Sequence, residues 1–481
     1  SYTTNAVFTP WSGNPSVSAS STFKITAGPE GGACPGSQLP FAPSLDAGTA
    51  SVQAGGFSQL STTVSRKDGE QAIQGIQIHT PPGLSGLLSS VKLCGEAQAN
   101  EGSCGPESLI GETTVSVGVG GHPYTVTGGK AYITESFEGA PYGLSIVNPA
   151  KAGPFDVEHD TSNPAQDPAC DCLVVRAKVA VDSRTAALTV TTAATGPHKI
   201  PTVLDGIPLE IQHVNVTVNR PGFTFNPTSC DPLSVSSTMT GLEGAISSVS
   251  VPFQVTNCAA LKFAPKVQIS AGGHASKVNG ASLAFRISYP AHAMGKEAWF
   301  GEAKFDLPKQ LPARLETLQQ ACLANVFEND RKACPKASII GHAVVHTEVL
   351  PVPLTGSVYF VSYGGAKFPE AVMVLQGYGV TVELHGETFI DKKTGVTSAT
   401  FRNTPDVPFE SIEVTIPTGR YSEFAANLPK DNYDLCGHKL TVPTLFKAQN
   451  NLEIHQNTPV TLTGCTTHKH TTHKKTKHKK H

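Results

Sequence analysis

The chain carries one series of landmarks twice, so any fold available to its first half must also suit its second. Each series opens with a cysteine and a Phe-Ala-Pro triplet: Cys34 then Phe41-Ala42-Pro43, and Cys258 then Phe263-Ala264-Pro265. A proline-marked leucine segment follows, Pro81-Pro82-Gly83-Leu84 against Pro308 to Pro312. A close cysteine pair comes next, Cys94 and Cys104 against Cys322 and Cys334, leading into Ser108-Leu109-Ile110-Gly111 or Ser338-Ile339-Ile340-Gly341. Thr127-Gly128-Gly129-Lys130-Ala131-Tyr132 answers Thr355-Gly356-Ser357-Val358-Tyr359, and Asp205-Gly206-Ile207-Pro208-Leu209-Glu210 answers Pro405-Asp406-Val407-Pro408-Phe409-Glu410. Cys230 with Cys258 answers Cys436 with Cys465. A period this far above about 50 residues points to tandem domains rather than a solenoid of small units. The division is an incomplete first unit over 1–34, a repeat over 35–258 with an insertion at 157–172, a repeat over 259–465, and a tail over 466–481.

Within each repeat the apolar stretches are short, alternate with Thr or Ser, and end at Gly, Pro or Asp, as in Ala187-Leu188-Thr189-Val190-Thr191 and Val249 to Val255. Charged residues make up only 15% of the 481, while Gly, Pro, Ser and Thr are abundant. The pattern predicts an all-β protein of tandem immunoglobulin-like β-sandwich units. One stretch reads as a helix: Ala313 to Val326, with Leu315, Leu318, Cys322 and Val326 at three- and four-residue spacing. Its counterpart, Ser85 to Ala99, reads more weakly, so each repeat is expected to carry one small helical excursion.

Most of the eleven cysteines occupy repeated positions, which suggests disulfides and an oxidising compartment. The repeat proposes the pairs Cys94–Cys104, Cys230–Cys258, Cys322–Cys334 and Cys436–Cys465, each closing a loop of about 10 to 30 residues and worth roughly 3 kcal/mol. Zinc is disfavoured because no histidine lies at ligand spacing beside these cysteines. Neither a signal peptide nor an apolar run of membrane-spanning length occurs in the sequence, so it reads as a mature secreted form.

Residues 1 to 34 resemble the end of a repeat, since Phe23-Lys24-Ile25-Thr26 before Cys34 parallels Phe253-Gln254-Val255-Thr256 before Cys258 and Val460-Thr461-Leu462-Thr463 before Cys465. Both later hairpins follow the cysteine that pairs across them, and here that cysteine is missing. Cys34 is therefore expected to be unpaired or intermolecular. The hairpin is either the remnant of a longer array or a strand pair that completes a neighbouring molecule by β-augmentation. Alone it would be marginal, so it is expected to dock.

Motifs of chemistry are scarce. The sequence has no Gly-x-Ser-x-Gly elbow, no His-Glu-x-x-His, no calcium-binding Asp-x-Asp-x-Asp-Gly loop and no phosphate-binding Gly-x-x-x-x-Gly-Lys. The unrepeated insertion gathers Asp156, Glu158, His159, Asp160, Asp167 and Asp171, a density of hard oxygens suited to calcium. A solvated surface loop is the competing reading. Cys170 and Cys172 flank an aspartate there, and either they join each other or one of them joins Cys34. Asn215-Val216-Thr217 is a sequon in a strand context and is assigned no function.

The tail contains only Thr, His and Lys and cannot form a core. Its lysines are Lys469, Lys474, Lys475, Lys477, Lys479 and Lys480; without those six charges the formal net of −2 becomes −8. A basic arm on an acidic body is suited to anionic cell-envelope polymers through salt-sensitive contacts. Nucleic acid is not expected, since no aromatics are interleaved with the basic residues.

The segments Phe223-Thr224-Phe225-Asn226-Pro227-Thr228-Ser229-Cys230, Leu204-Asp205-Gly206-Ile207-Pro208-Leu209 and Ala140-Pro141-Tyr142-Gly143-Leu144 resemble recurring motifs of large secreted tandem-repeat proteins from soil actinobacteria. That resemblance implies export and repetition and carries no catalytic residues.

The sequence therefore predicts a non-enzymatic extracellular or cell-surface protein with a structural or adhesive role, partnered by envelope polymers or by other copies of itself, with no cofactor beyond the candidate calcium. A carbohydrate-binding module is the alternative. It requires exposed aromatic platforms, and the two tryptophans, Trp11 and Trp299, do not occupy matching repeat positions.

Overall fold

The computed structural model describes residues 1–28, 31–34, 36, 38–152, 155–156, 166–167, 172–204 and 206–465. It is an all-β protein with short helical excursions. The alternating stretches form the long strands β3 (Ser44–Thr49), β4 (Leu60–Ser65), β5 (Ile73–His79), β6 (Leu109–Val117), β7 (Tyr124–Thr134), β8 (Tyr142–Pro149), β9 (Cys172–Val181), β10 (Leu188–Thr192), β11 (Ile211–Val218), β12 (Leu233–Gly241) and β13 (Ile246–Phe253) in the first half. The second half contains β14 (Lys266–Gly272), β15 (Leu283–Ser288), β16 (Phe300–Asp306), β17 (Ile339–His346), β18 (Leu354–Ser362), β19 (Glu370–Gly377), β20 (Val380–Ile390), β21 (Thr397–Arg402), β22 (Ser411–Ile416), β23 (Thr441–Ala448) and β24 (Glu453–Thr463).

Each half is a single hydrogen-bonded ladder. The first runs β13-β12-β5-β10-β9-β8-β7-β6-β11-β4-β3, and the second runs β24-β23-β16-β21-β20-β19-β18-β17-β22-β15-β14. Strand for strand the order is the same. The two opposed layers of a sandwich are here one sheet curled on itself, as the inward side chains show. Along β9, Leu173, Val175, Ala177, Val179 and Val181 all face one interior, as the two-residue period of a strand requires. The second ladder is sealed: β14 and β24 pair in parallel from Ile269–Val460 to Gly272–Thr463. At the matching seam of the first ladder β3 and β13 share no ladder. The two strands lie side by side, and a bridge beyond their ends joins them, with Thr256 N–H donating to Val52 O at 2.7 Å and Ala54 N–H to Thr256 O at 3.0 Å.

The halves share a core. One buried cluster takes Val64, Val235 and Phe253 from the first ladder and Ile269, Phe300 and Phe446 from the second. A second cluster joins Ile133, Tyr142 and Val179 to Leu354, Leu375 and Val382. The units are therefore fused end to end rather than strung on a linker.

The glycine common to both copies of the Leu/Ile-Ile-Gly landmark sits at a bulge where β6 or β17 shifts register. A Cβ on Gly111 would meet Thr217 O at 2.2 Å, and one on Gly341 would meet Thr415 O at 2.5 Å. No side chain fits between these strands.

The helical excursions are shorter than the periodicity predicts. Instead of one helix over Ala313 to Val326, there are α2 (Leu315–Leu318) and α3 (Ala324–Asn329), separated by the two-residue strand Cys322–Leu323 that pairs with Val361–Ser362. Cys322 is fully buried by its bond to Cys334, and the strand pairing made with that anchor interrupts the helical ladder. In the first half only α1 (Glu96–Glu101) forms, preceded by a short 3-10 turn at Leu88–Ser90, so the expected helix over Ser85 to Ala99 is mostly absent.

Candidate functional site

The described disulfides are Cys94–Cys104, Cys230–Cys258, Cys322–Cys334 and Cys436–Cys465. The closest pairs staple the excursions onto the sheets, and the wide pairs tie each closing hairpin to the chain beyond it. Cys34 is exposed and free, and Cys172 is disulfide-bonded; Cys170 lies outside the described residues. So do the side chains of the candidate calcium set, Asp156, Glu158, His159, Asp160, Asp167 and Asp171, and the tail lysines Lys469, Lys474, Lys475, Lys477, Lys479 and Lys480. Among the described residues the one group with metal-ligand spacing is His274, Asp434 and Cys436. Cys436 is committed to Cys465, so this group lacks a thiolate.

The excursions are pinned by arginines that the sequence reading missed, one fully buried and one partly buried. Arg176 occupies an outward position of β9, yet it is fully buried because α1 covers it. Its guanidinium donates to Leu144 O and Thr134 Oγ1, both at 3.1 Å, and to Asn100 Oδ1 on α1, and it lies 4.4 Å from the centre of the Phe137 ring. Burial lowers its pKa. In the second half the polarity is reversed: Glu383 is on the strand β20, while Arg331, beyond α3, reaches it and stacks over Phe327 at 4.9 Å. His385 bridges Glu370 at 3.1 Å and Glu383 at 3.5 Å. The His385 hydrogen bond, with Arg331 adding to it, holds the Glu383 carboxyl below the usual carboxylate range. The geometry of this cluster is that of a staple. Glu370 on β19 reaches His385, and through it Glu383, because β19 and β20 pair in register, and Arg331 joins them from the segment beyond α3.

The landmark segment ending in Cys230 has its explanation at the junction between units. Asn226 donates its side-chain amide to Ser51 O at 2.7 Å and to Gln53 O at 3.0 Å, holding its own unit's first loop. Thr228 and Ser229 face the other unit, where Asp406 accepts from Thr228 N–H at 2.6 Å, Thr228 Oγ1 at 2.5 Å and Ser229 N–H at 3.1 Å. Trp299 N–H donates to Thr228 Oγ1 at 3.3 Å. Asp406 is buried, and burial pushes its pKa up to about 6 against the downward pull of those three donors. Further contacts cross the junction, among them Tyr142 Oη donating to Tyr378 O at 2.6 Å, Glu383 N–H to Ser183 O at 2.7 Å and Ser89 N–H to Val349 O at 3.0 Å.

The carbohydrate-binding alternative needs an exposed aromatic platform, and Trp299 does not provide one. Trp299 is 4% exposed and packs edge-on against Tyr289 at 4.8 Å. Trp11, by contrast, is fully exposed at the turn of an isolated hairpin formed by β1 (Tyr2–Phe8) and β2 (Val17–Phe23). One face of that hairpin carries the cross-strand pairs Tyr2–Phe23, Ala6–Ala19 and Phe8–Val17; Tyr2 stacks on Phe23 at 5.5 Å. The hairpin pairs with no other described strand, and among the described residues its side chains, except that of Ala6, stay exposed. Asn215, in the sequon, is spent on hydrogen bonds to Ser61 Oγ and Thr63 Oγ1.

No protein-family model matches the sequence, and no curated protein matches it. Among solved structures, a chain described as BspA_C_mut is 9% identical, with a TM-score of 0.19 over 88% of this chain and 99% of that one. The N-terminal domain of the Streptococcus gordonii adhesin Sgo0707 is 8% identical, with a TM-score of 0.20 over 84% and 60%. A protein from Corynebacterium diphtheriae named for membrane anchoring is 10% identical, with a TM-score of 0.18 over 96% and 95%. Likeness this low assigns no function, and the functional reading rests on the geometry.

Proposed function

We propose that this chain is a non-enzymatic extracellular or cell-surface protein with a structural and adhesive role, joining to other copies of itself by β-strand complementation. The observation that carries this reading is the uncovered apolar face of the N-terminal hairpin, where Tyr2, Phe8, Val17 and Phe23 are all more than half exposed. A two-stranded sheet is marginal in water unless that face is packed. The receiving site is the seam of the first ladder, where the edges of β3 and β13 lack the parallel pairing that seals β14 to β24. These edges lie close together but unpaired, so an added strand enters by parting them and takes up their free hydrogen-bonding groups. The disulfides support an oxidising, extracellular setting, and the basic tail adds salt-sensitive contacts with anionic envelope polymers.

The test is light scattering coupled to size exclusion over a wide concentration range, for the wild type and for Phe8→Lys, which places a charge on the hairpin face. The reading expects wild-type mass to grow with concentration and the variant to stay monomeric. A wild type that stays monomeric throughout, or assembly indifferent to F8K, refutes it.

A further inference from the structure

The two units meet mouth to mouth around empty apolar space. A cavity of about 250 Å³ lies at the junction, with walls drawn from both ladders: Ile133, Val179 and Val218 on one side, Leu354, Leu375 and Val382 on the other. A second cavity of about 200 Å³ occupies the interior of the first ladder, and a third of about 100 Å³ occupies the interior of the second. They are neighbours along one axis. Leu60, Leu84, Leu144, Val190 and Val218 line both the junction cavity and the first interior, while Phe300, Leu384 and Ile412 line both the junction cavity and the second interior.

Protein interiors are packed like organic crystals, and voids much larger than a water molecule are uncommon because their lining atoms lose dispersion contacts. Water does not relieve this space, since a buried water needs two to four polar partners and the walls offer scattered threonine hydroxyls. Apart from Tyr142, whose hydroxyl is spent on Tyr378 O, the titratable group on the described walls is Glu423 at the far end. Burial raises its pKa to about 8, so this carboxyl is mostly neutral at pH 7. The first interior is lined mainly by Val, Leu and Ile, with a few Thr and Pro, Asn148 and no aromatic ring, which suits a flexible aliphatic chain better than a planar ring system. The junction and first-interior volumes together fall within the roughly 300–1,000 Å³ range of small-molecule sites.

We propose that the shared axis of the two units is a binding site for one long-chain acyl group, as a free fatty acid or as the tail of a lipid. The chain would lie along the axis, replacing with methylene contacts the dispersion contacts the walls now lack. This is a ligand-binding activity separate from self-assembly, and it needs neither the hairpin nor the tail.

The test is titration of the delipidated full chain with cis-parinaric acid, read by its fluorescence enhancement, with palmitate and hexanoate as competitors. A parallel arm offers vesicles containing parinaroyl-phosphatidylcholine, so the two arms separate a free acid from a lipid tail. The proposal expects saturable binding at one probe per chain in at least one arm, displaced by palmitate far better than by hexanoate. Val190→Phe, which fills space common to two of the cavities, should weaken binding by about tenfold or more while leaving the thermal midpoint unchanged or raised. Should V190F fail to fold, Leu384→Phe blocks the other shared wall and is read in the same way. Trp11→Ser controls for adsorption to the exposed hairpin and should bind as the wild type does. No saturable binding in either arm, equal displacement by hexanoate, undiminished binding in the filled variant, or loss of binding in W11S overturns the proposal.

Discussion

Asp406→Asn should abolish one specific pH dependence of stability. The folded carboxyl titrates at about 6 and the free one at 3.8. A folded pKa above the unfolded value means that the native state binds the proton more tightly. Stability from this group is therefore fully present below about pH 4 and is lost as pH rises through 6. At 1.36 kcal/mol per unit, the full effect is about 3 kcal/mol, of which about 2 kcal/mol falls between pH 4.5 and 7. Asparagine keeps the shape, offers its carbonyl oxygen to the Thr228 and Ser229 N–H groups, donates to Thr228 Oγ1, and does not titrate. Urea unfolding followed by tryptophan fluorescence reports the right region, because Trp299 N–H donates to the same threonine hydroxyl. The wild type minus variant stability should fall by about 2 kcal/mol from pH 4.5 to pH 7, other carboxyls cancelling in the difference. A difference that stays flat across this window would show that Asp406 is not buried against the Thr228-Ser229 turn, and the reading of the junction would fail with it.

Glu383 carries the opposite sign. Its depressed folded pKa makes its stabilisation present above the unfolded value and lost as pH falls through the folded one. Glu383→Gln should therefore flatten the acid limb of the stability profile, measured by thermal midpoints from pH 7 down to pH 3, and a limb of unchanged steepness would count against the staple. Gly356→Ala should prevent folding of the second unit or cost more than about 4 kcal/mol, because the added Cβ would fall 1.6 Å from Val374 O. A soluble variant with wild-type near-ultraviolet circular dichroism would contradict that strand spacing.

Much of the local chemistry is legible in the linear sequence because it repeats. Cysteines at matched positions define pairs without any coordinates, and Gly111 and Gly341 mark the same bulge in both copies. The alternation of Val and Thr gives strands because the pleat has a period of two. Residues 315 to 326 mislead for a related reason: helical spacing is a local signal, and the buried anchor of Cys322 to Cys334 outweighs it. The burial of Trp299 is not legible either, since Tyr289 and Phe409, which cover it, come from other stretches of the chain.

The sequence by itself determines an all-β, disulfide-stapled protein of two similar halves, because composition, alternation and cysteine register act over short stretches of chain. Tertiary structure alone decides that each half curls into one continuous ladder, that Asp406 crosses to Thr228, that Arg176 lies buried under α1, and that the two interiors meet. Those features depend on which edges and mouths come together, a matter of long-range geometry that no local period encodes.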